Sequence, residues 1–351
     1  MAFIPCDFKL LLHTLFCLID VRMKKILIIR FSSIGDIVLT TPVVRCLKEQ
    51  APGGVEIHYL TKQQYAPLLA GNPHISHIHT ITSAIGEVLP ALRKEHFDRI
   101  VDLHRNFRSV GVWLRLRIAR TSFKKLNIRK WLLVKFKINL LPDRHVVDRY
   151  FGAVVSLGIK NDGRGLDYFI SGTDDAGVSG LKGLPSSAYV AFVIGARYPT
   201  KCFPADMVAD VCSRLTKTVI LLGGQEDREK GEWIRERGGD HLINTCGRLT
   251  FNQSALVIRH AARVITNDTG MMHIAAAFNK PILSLWGNTV PAFGMSPYLP
   301  GDAAVAPVLL EVKGLSCRPC SKLGYEKCPR GHFNCMRQLP ADRIVTWANA
   351  E

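Results

Sequence analysis

The sequence predicts an α/β fold made of two successive doubly wound domains, and three observations predict it. From Lys25 onward, short β-branched apolar runs alternate with longer helical patterns, the order that builds a parallel sheet covered on both faces. A second alternating set begins at Tyr189. Between the two sets, residues 162–187 are rich in Gly, Ser and Asp and poor in large apolar side chains, which is linker composition. The length of 351 residues agrees, because a single core stops growing at roughly 250–300 residues.

The expected organisation is an N-terminal domain over 23–170, a linker over 171–186, a C-terminal domain over 187–340 and a closing helix over 341–351. Met23 opens Met23-Lys24-Lys25-Ile26-Leu27-Ile28-Ile29-Arg30 and reads as a natural start running straight into a buried strand. Residues 1–22 therefore read as a non-native or loose extension, with a signal anchor as the alternative. The apolar run Leu10–Ile19 is interrupted by His13 and Thr14 and is too short to span a bilayer.

In the first half, strands are expected at Ile26–Phe31, Val55–Leu60, Ile78–Ile81 and Arg99–Leu103, with helices over Ile37–Gln50 and Ala84–Glu95. In the second half, strands are expected at Tyr189–Ile194, Thr218–Leu222, Leu242–Asn244, Arg263–Thr266 and Pro281–Leu285. Helices are expected over Pro204–Leu215, Asp227–Arg237, Asn252–His260 and Met271–Phe278, and a last one over Asp342–Ala350. Two such domains leave a cleft between them, faced by the strand carboxyl ends where ligands bind in open α/β sheets.

With 46 Lys+Arg against 29 Asp+Glu, the formal charge is +17, which points to a polyanionic partner: nucleic acid, an anionic membrane face or a phosphorylated substrate. Residues 1–165 carry net +14 and the remainder net +3, so the anion is met by the first half. From Arg105 to Lys137 there are eleven Lys/Arg and no acid, interleaved with Phe107, Trp113, Phe123, Trp131 and Phe136. Such a stretch suits an interfacial or polyanion-binding helix. RNA binding by phosphate contact and base stacking is an alternative, and a solvated basic helix with a buried apolar face is a third.

Ten cysteines at irregular spacing make no disulfide framework in a chain this long, so a reducing compartment is expected. Cys317, Cys320, Cys328 and Cys335 cluster in a Gly/Pro-rich segment and are candidates for a structural zinc; packed reduced thiols are the other reading.

Several enzyme classes lose their markers. The first strand is followed by Ser32-Ser33-Ile34-Gly35-Asp36 rather than G-x-G-x-x-G, and there is no P-loop, G-x-S-x-G or H-E-x-x-H. What remains are polar junctions at strand ends. Gly35 permits a tight turn, and Asp36 can act as a general base at the cleft floor or cap the helix. In Thr266-Asn267-Asp268-Thr269-Gly270-Met271-Met272-His273, amide donors, a hydroxyl and an imidazole converge on one helix start, which suits a diphosphate. An ordinary N-cap with a solvated His is the plain alternative. Arg197 and Lys201 follow the strand at Tyr189 and can neutralise a leaving diphosphate. Gln225 and Glu226 end the next strand, where a carboxylate can hold a ribose hydroxyl or equally cap the helix.

At these junctions the chain resembles glycosyltransferase family 9, the lipopolysaccharide heptosyltransferases. Met23–Thr41 and Thr266–Gly287 carry the resemblance, with the Cys-rich loop beside them, and it runs from about Met23 to the C-terminus. It implies the GT-B architecture of two facing Rossmann-like domains with an interdomain cleft. It further implies an inverting, metal-independent transfer of heptose from ADP-heptose to the lipid A–Kdo inner core at the inner face of the cytoplasmic membrane. Under it Asp36 matches the catalytic aspartate, and Ser32, Ser33 and Gly35 the loop around it. Lys201, Glu226, Asp268, Thr269, Gly270 and His273 match donor-binding positions, and Arg105 and Arg108 fall on the acceptor side. No cofactor is required on this reading, and another nucleotide sugar or acceptor within the family is the alternative.

Overall fold

A computed structural model of the chain describes residues 23–171, 185 and 187–350. The expected extension 1–22 and nearly all of the expected linker 171–186 lie outside the described residues.

The first sheet contains β1 (Lys25–Ile29), β2 (Glu56–Lys62), β3 (His77–Ile81), β4 (Arg99–Asp102) and β5 (Arg120–Ser122). Its helices are α1 (Ile34–Val38), α2 (Thr41–Gln50), α3 (Leu89–Lys94), α4 (Phe107–Leu116), α5 (Asn127–Phe136) and α6 (Val146–Phe151). The second half contributes β6 (Tyr189–Val193), α7 (Ala205–Ser213), β7 (Thr218–Leu222), α8 (Arg228–Gly238), β8 (Leu242–Asn244), α9 (Phe251–His260) and β9 (Arg263–Asn267). It continues through α10 (Gly270–Ala277), β10 (Ile282–Trp286), β11 (Val308–Glu311), α11 (Asn334–Arg337) and α12 (Ala341–Asn349).

Both sheets are parallel, with orders β3-β2-β1-β4-β5 and β11-β10-β9-β6-β7-β8. Each order reverses once beside its first strand, between β1 and β4 and between β6 and β9. These are the switch points at which doubly wound sheets bind ligands. The loops after β1 and β9 that carry the two polar motifs therefore issue from the strands flanking the two switch points. The central strands β1, β6 and β10 are buried almost throughout, as parallel strands covered on both faces must be.

Two expected helices divide. Ile37–Gln50 breaks at Leu39–Thr40, and Pro42 starts α2 in its first turn, where the missing N–H costs nothing. Ala84–Glu95 becomes a 3-10 turn over Ile85–Glu87 followed by α3, with Pro90 in its first turn. The basic stretch is two helices, α4 and α5, on either side of the short β5. The two halves share packing: Tyr168 Oη donates to Asn252 Oδ1 at 2.7 Å, and Tyr298 Oη to Asp148 Oδ1 at 2.9 Å. Among the described residues no helix is long and apolar enough to cross a membrane.

Candidate active site

The apolar strand β1 delivers Arg30 to its carboxyl end, where the side chain is buried. Its Nη1 donates to Leu103 O at 2.6 Å and to Tyr150 Oη at 3.1 Å, and its Nε to Ser32 O at 2.7 Å. That leaves Nη2 to pair with Asp36 Oδ1 at 2.7 Å. Ser33 is the N-cap of α1, and its Oγ donates to Asp36 Oδ2 at 2.9 Å while its N–H approaches the same oxygen at 3.4 Å. Asp36 thus does hold the helix start. Its side chain nevertheless keeps 23% of its surface open, enough to meet a ligand. Burial pushes its pKa up, but the Arg30 guanidinium and the Ser33 bonds outweigh that, and the carboxyl rests below the ordinary Asp value.

Gly35 corrects the sequence expectation. It lies inside α1 without a left-handed φ, so no tight turn depends on it. What requires glycine is close approach across the cleft: a Cβ there would stand 2.6 Å from His273 Cδ2 and 3.2 Å from Gly270 Cα. Gly270 in turn faces Ile34 and the Gly35 amide, where a Cβ would stand 2.7 Å and 3.0 Å away. The starts of α1 and α10, from opposite domains, therefore touch through two glycines.

His273 is not the solvated residue of the plain alternative; it is 2% exposed, and its Nδ1 is buried without a hydrogen-bond partner. Burial, aided by Lys201 and opposed by Asp268 and Asp36, lowers its pKa to about 4, so the ring is neutral at pH 7. Asp268 Oδ2 accepts from Lys201 Nζ at 2.6 Å and from Thr289 Oγ1 at 2.7 Å. Of the two candidate cations, Lys201 makes this pair while Arg197 stays exposed. Thr269 is the N-cap of α10 but makes no side-chain cap bond. Asn267 is structural: it accepts from Phe203 N–H and donates to Val193 O.

Glu226 stands apart. It is exposed on the turn after β7 and lines a cavity of about 610 Å³ with Arg228, Glu232, Asn244 and Arg248. Gln225 lines the same cavity, and the buried carboxylate of this turn is Asp227, which caps it by accepting from Gly224 N–H at 3.0 Å.

On the first-sheet side, Arg105 lines a cavity of about 420 Å³ with Lys125, Asn127 and Arg129, and Arg108 lies over the Phe31 ring at 5.8 Å. Both sit near the carboxyl ends of β1 and β4. His104 beside them has its pKa lowered to about 3 by burial and the neighbouring cations Arg30 and Lys125.

Three contributors were missed from sequence: Arg30, Thr289 and Lys130. Lys130 on α5 reaches the Phe293 ring of the other domain at 5.3 Å. Burial and then Arg149 lower its pKa to about 8, with Asp36 and Asp268 pulling the other way.

The Cys-rich loop supports the site from behind. Thr200 donates twice to Tyr325 O and accepts from Tyr325 N–H, which fixes the turn carrying Lys201. All four thiols are free. Among the described residues no three of those sulfurs come within 4.8 Å of one another, so the geometry is not that of a formed zinc site.

The family model "Glycosyltransferase family 9 (heptosyltransferase)" matches residues 85–309. Lipooligosaccharide heptosyltransferase 2 of Haemophilus ducreyi is 26% identical over 93% of this chain and 98% of its own. Among solved structures, a family 9 glycosyltransferase from Veillonella parvula aligns with TM-score 0.74 at 22% identity over 94% and 97% of the two chains. The E. coli ADP-heptose heptosyltransferase II aligns with TM-score 0.69 at 23% identity over 93% and 97%. Both structures share the fold.

Proposed function

The chain belongs to glycosyltransferase family 9, and from that premise we propose that it moves a heptose from ADP-heptose to the lipid A–Kdo inner core of lipopolysaccharide with inversion. The observation that carries this reading is the contact of Gly35 with His273 and Gly270. It joins the Asp36 carboxylate and the Lys201–Asp268 pair across one helix-to-helix contact. A hydroxyl brought against Asp36 and a diphosphate on the start of α10 would then flank the same sugar.

In the transfer, the acceptor oxygen bonds to the anomeric carbon as the bond from that carbon to the diphosphate oxygen breaks. The acceptor proton passes to Asp36. Paired with Arg30, this carboxylate is a weak base, yet it is ionised at neutral pH. A weak base suffices because the attacking hydroxyl becomes acidic once its bond to an oxocarbenium-like carbon forms. The negative charge left on ADP is met by Lys201 and the amide start of α10, so the reaction proposed here calls for no catalytic metal. Asp268, already committed to Lys201 and Thr289, orients these groups rather than meeting the diphosphate itself. Thr269, Gly270 and neutral His273 form the wall of that site, and Glu226 would take a ribose hydroxyl only if the nucleoside extends to the outer cavity.

Arg105, Arg108 and the loop Ser32–Ser33 are assigned to the acceptor, whose phosphates and carboxylates suit the cavity lined by Arg105, Lys125 and Arg129. Docking at the anionic inner face of the cytoplasmic membrane is supported by exposed Phe107, Ile128, Trp131 and Phe136 amid uncompensated cations. A structural zinc on Cys317, Cys320, Cys328 and Cys335 would require the loop to draw its sulfurs together, and metal analysis of the purified chain decides that point.

A donor screen tests the assignment. ADP-heptose is expected to raise the melting temperature and to support transfer onto lipid A–Kdo. Stabilisation by UDP- or GDP-sugars alone would remove the heptose assignment and leave a same-family transferase with another donor.

A further inference from the structure

At the opposite edge of the first sheet, away from the cleft, three metal-ligating side chains converge. β2 and β3 pair in parallel with His58 opposite His77 and Leu60 opposite His79. The two-residue side-chain period therefore puts His58, His77 and His79 on one face. α3 covers that face and ends at its C-cap, Glu95. The ring of Phe97 closes the cluster, edge-on to His58 at 5.0 Å and to His79 at 6.2 Å.

His58 Nδ1 faces His79 Nε2 at 2.9 Å. His58 is fully buried, and its Nε2 has no hydrogen-bond partner; Glu56 Oε2 at 3.6 Å and Glu95 Oε2 at 3.9 Å are the carboxylates nearest to it. An imidazole nitrogen buried without a partner is costly; the two carboxylates stand near it, and the second imidazole meets the other nitrogen of the same ring. One nitrogen from each histidine and one Glu95 oxygen lie within 4.8 Å of one another.

We propose that His58, His79 and Glu95 form a binding site for a borderline divalent transition metal, Zn²⁺ being the leading case. Two imidazoles and a carboxylate are the donor set such ions prefer over Mg²⁺ or Ca²⁺, which take oxygen ligands. Both rings are available as neutral ligands at pH 7. Burial depresses both pKa values, that of His79 to about 4 with His58 as its neighbour. Lys25 is the cation that stands there now, 2.8 Å from Glu95 and 3.4 Å from Glu56. A metal ion taking Glu95 leaves Lys25 on Glu56, so the two cations need not compete for one carboxylate. The site staples β2, β3 and the end of α3 together. It lies toward the amino ends of β1 and β2, where Lys25 and Glu56 begin their strands, whereas Asp36 follows the carboxyl end. The ion's role is therefore structural, and turnover should not depend on it.

The test uses the full chain stripped with EDTA and titrated with Zn²⁺ or Co²⁺, against three variants: His79→Gln, Glu95→Gln, and the double change Cys317→Ser with Cys320→Ser. The proposal expects a metal-dependent rise in melting temperature and weak visible Co²⁺ bands without thiolate charge-transfer absorption. Both signals should survive in the cysteine variant and vanish in His79→Gln and Glu95→Gln, with transferase turnover of the stripped chain unchanged. Co²⁺ absorption of thiolate type that disappears only in the cysteine variant would overturn it. So would a melting temperature that metal leaves unmoved in the unaltered chain.

Discussion

Arg30 Nη2 lies 2.7 Å from Asp36 Oδ1, a buried guanidinium from the end of β1 holding the carboxylate on the third residue of α1. The other nitrogens of Arg30 are bound to Ser32, Leu103 and Tyr150, so this cation cannot swing away. Asp36 is thereby fixed in place and kept ionised.

Two substitutions separate its possible duties. Asp36→Ala removes both the base and the acceptor for Ser33, whereas Asp36→Asn keeps an oxygen for Ser33 and removes the basicity together with the charge paired with Arg30. If Asp36 takes the proton, both variants lose about 10²–10⁴-fold in kcat while ADP-heptose binding measured by calorimetry is retained. Near-normal turnover in Asp36→Asn would assign the residue to helix capping alone.

Arg30→Met should change the pH profile. In the native chain burial raises the Asp36 pKa and Arg30 lowers it, with the net result below the ordinary value. Without the guanidinium the burial contribution prevails and the pKa rises. The acid limb of kcat/KM should then move to higher pH, and the stability that the ionised carboxylate contributes in the native chain, lost there as pH falls through its lowered pKa, should be absent from the variant. A profile that keeps its acid limb in place would mean that a different group controls it.

Gly35→Ala tests the contact between domains. Alanine favours a helix by about 1 kcal/mol over glycine, but its Cβ would stand 2.6 Å from the buried His273 ring and 3.2 Å from the Gly270 backbone. Overpacking of this kind costs about 1–3 kcal/mol, so a net loss of stability is expected in urea denaturation. Turnover should fall together with donor affinity, because His273 must be displaced.

Much of this arrangement was legible in the sequence for a definite reason. Junctions such as Ser32–Asp36 and Asp268–His273 place several polar residues between an apolar run and a helical pattern, and those signals are local. The partnerships are not. Arg30 looks like any cation closing a strand, Thr289 stands in no motif, and Lys130 hides among eleven cations that read as one surface. Gly35 reads as a turn residue because spacing cannot report a helix approaching from the other domain. The strands β5 and β11 are three and four residues long, too short to show a period. Pro42 and Pro90 marked helix starts that the apolar pattern alone had run through.

Lys201→Ala should act on the donor. It removes the cation 2.6 Å from Asp268 and leaves that carboxylate with Thr289 beside the proposed diphosphate site. Loss of a preorganised charge donor of this kind costs about 10²–10³-fold in turnover, and the uncompensated Asp268 should raise the KM for ADP-heptose as well. Lys201→Arg should not restore activity fully, because a planar fork does not reproduce the compact ammonium held against Asp268. Equal KM values for all three proteins would place the diphosphate elsewhere.

The basic face should separate membrane docking from catalysis. Phe107 is 99% exposed and Ile128 76% exposed, with no acid anywhere from Arg105 to Lys137. Apolar side chains in that setting enter an interface, while cations hold the anionic headgroups at about 1 kcal/mol each near the surface. Replacing Phe107, Trp131 and Phe136 with Ser should therefore weaken sedimentation with phosphatidylglycerol vesicles and raise the KM for a lipid-borne acceptor. The KM for ADP-heptose and the kcat on a detergent-dispersed acceptor should stay within about twofold, since none of the three touches the Asp36 or Lys201 groups. Unchanged vesicle binding in that variant, lost only in high salt, would leave the cations as the sole attachment.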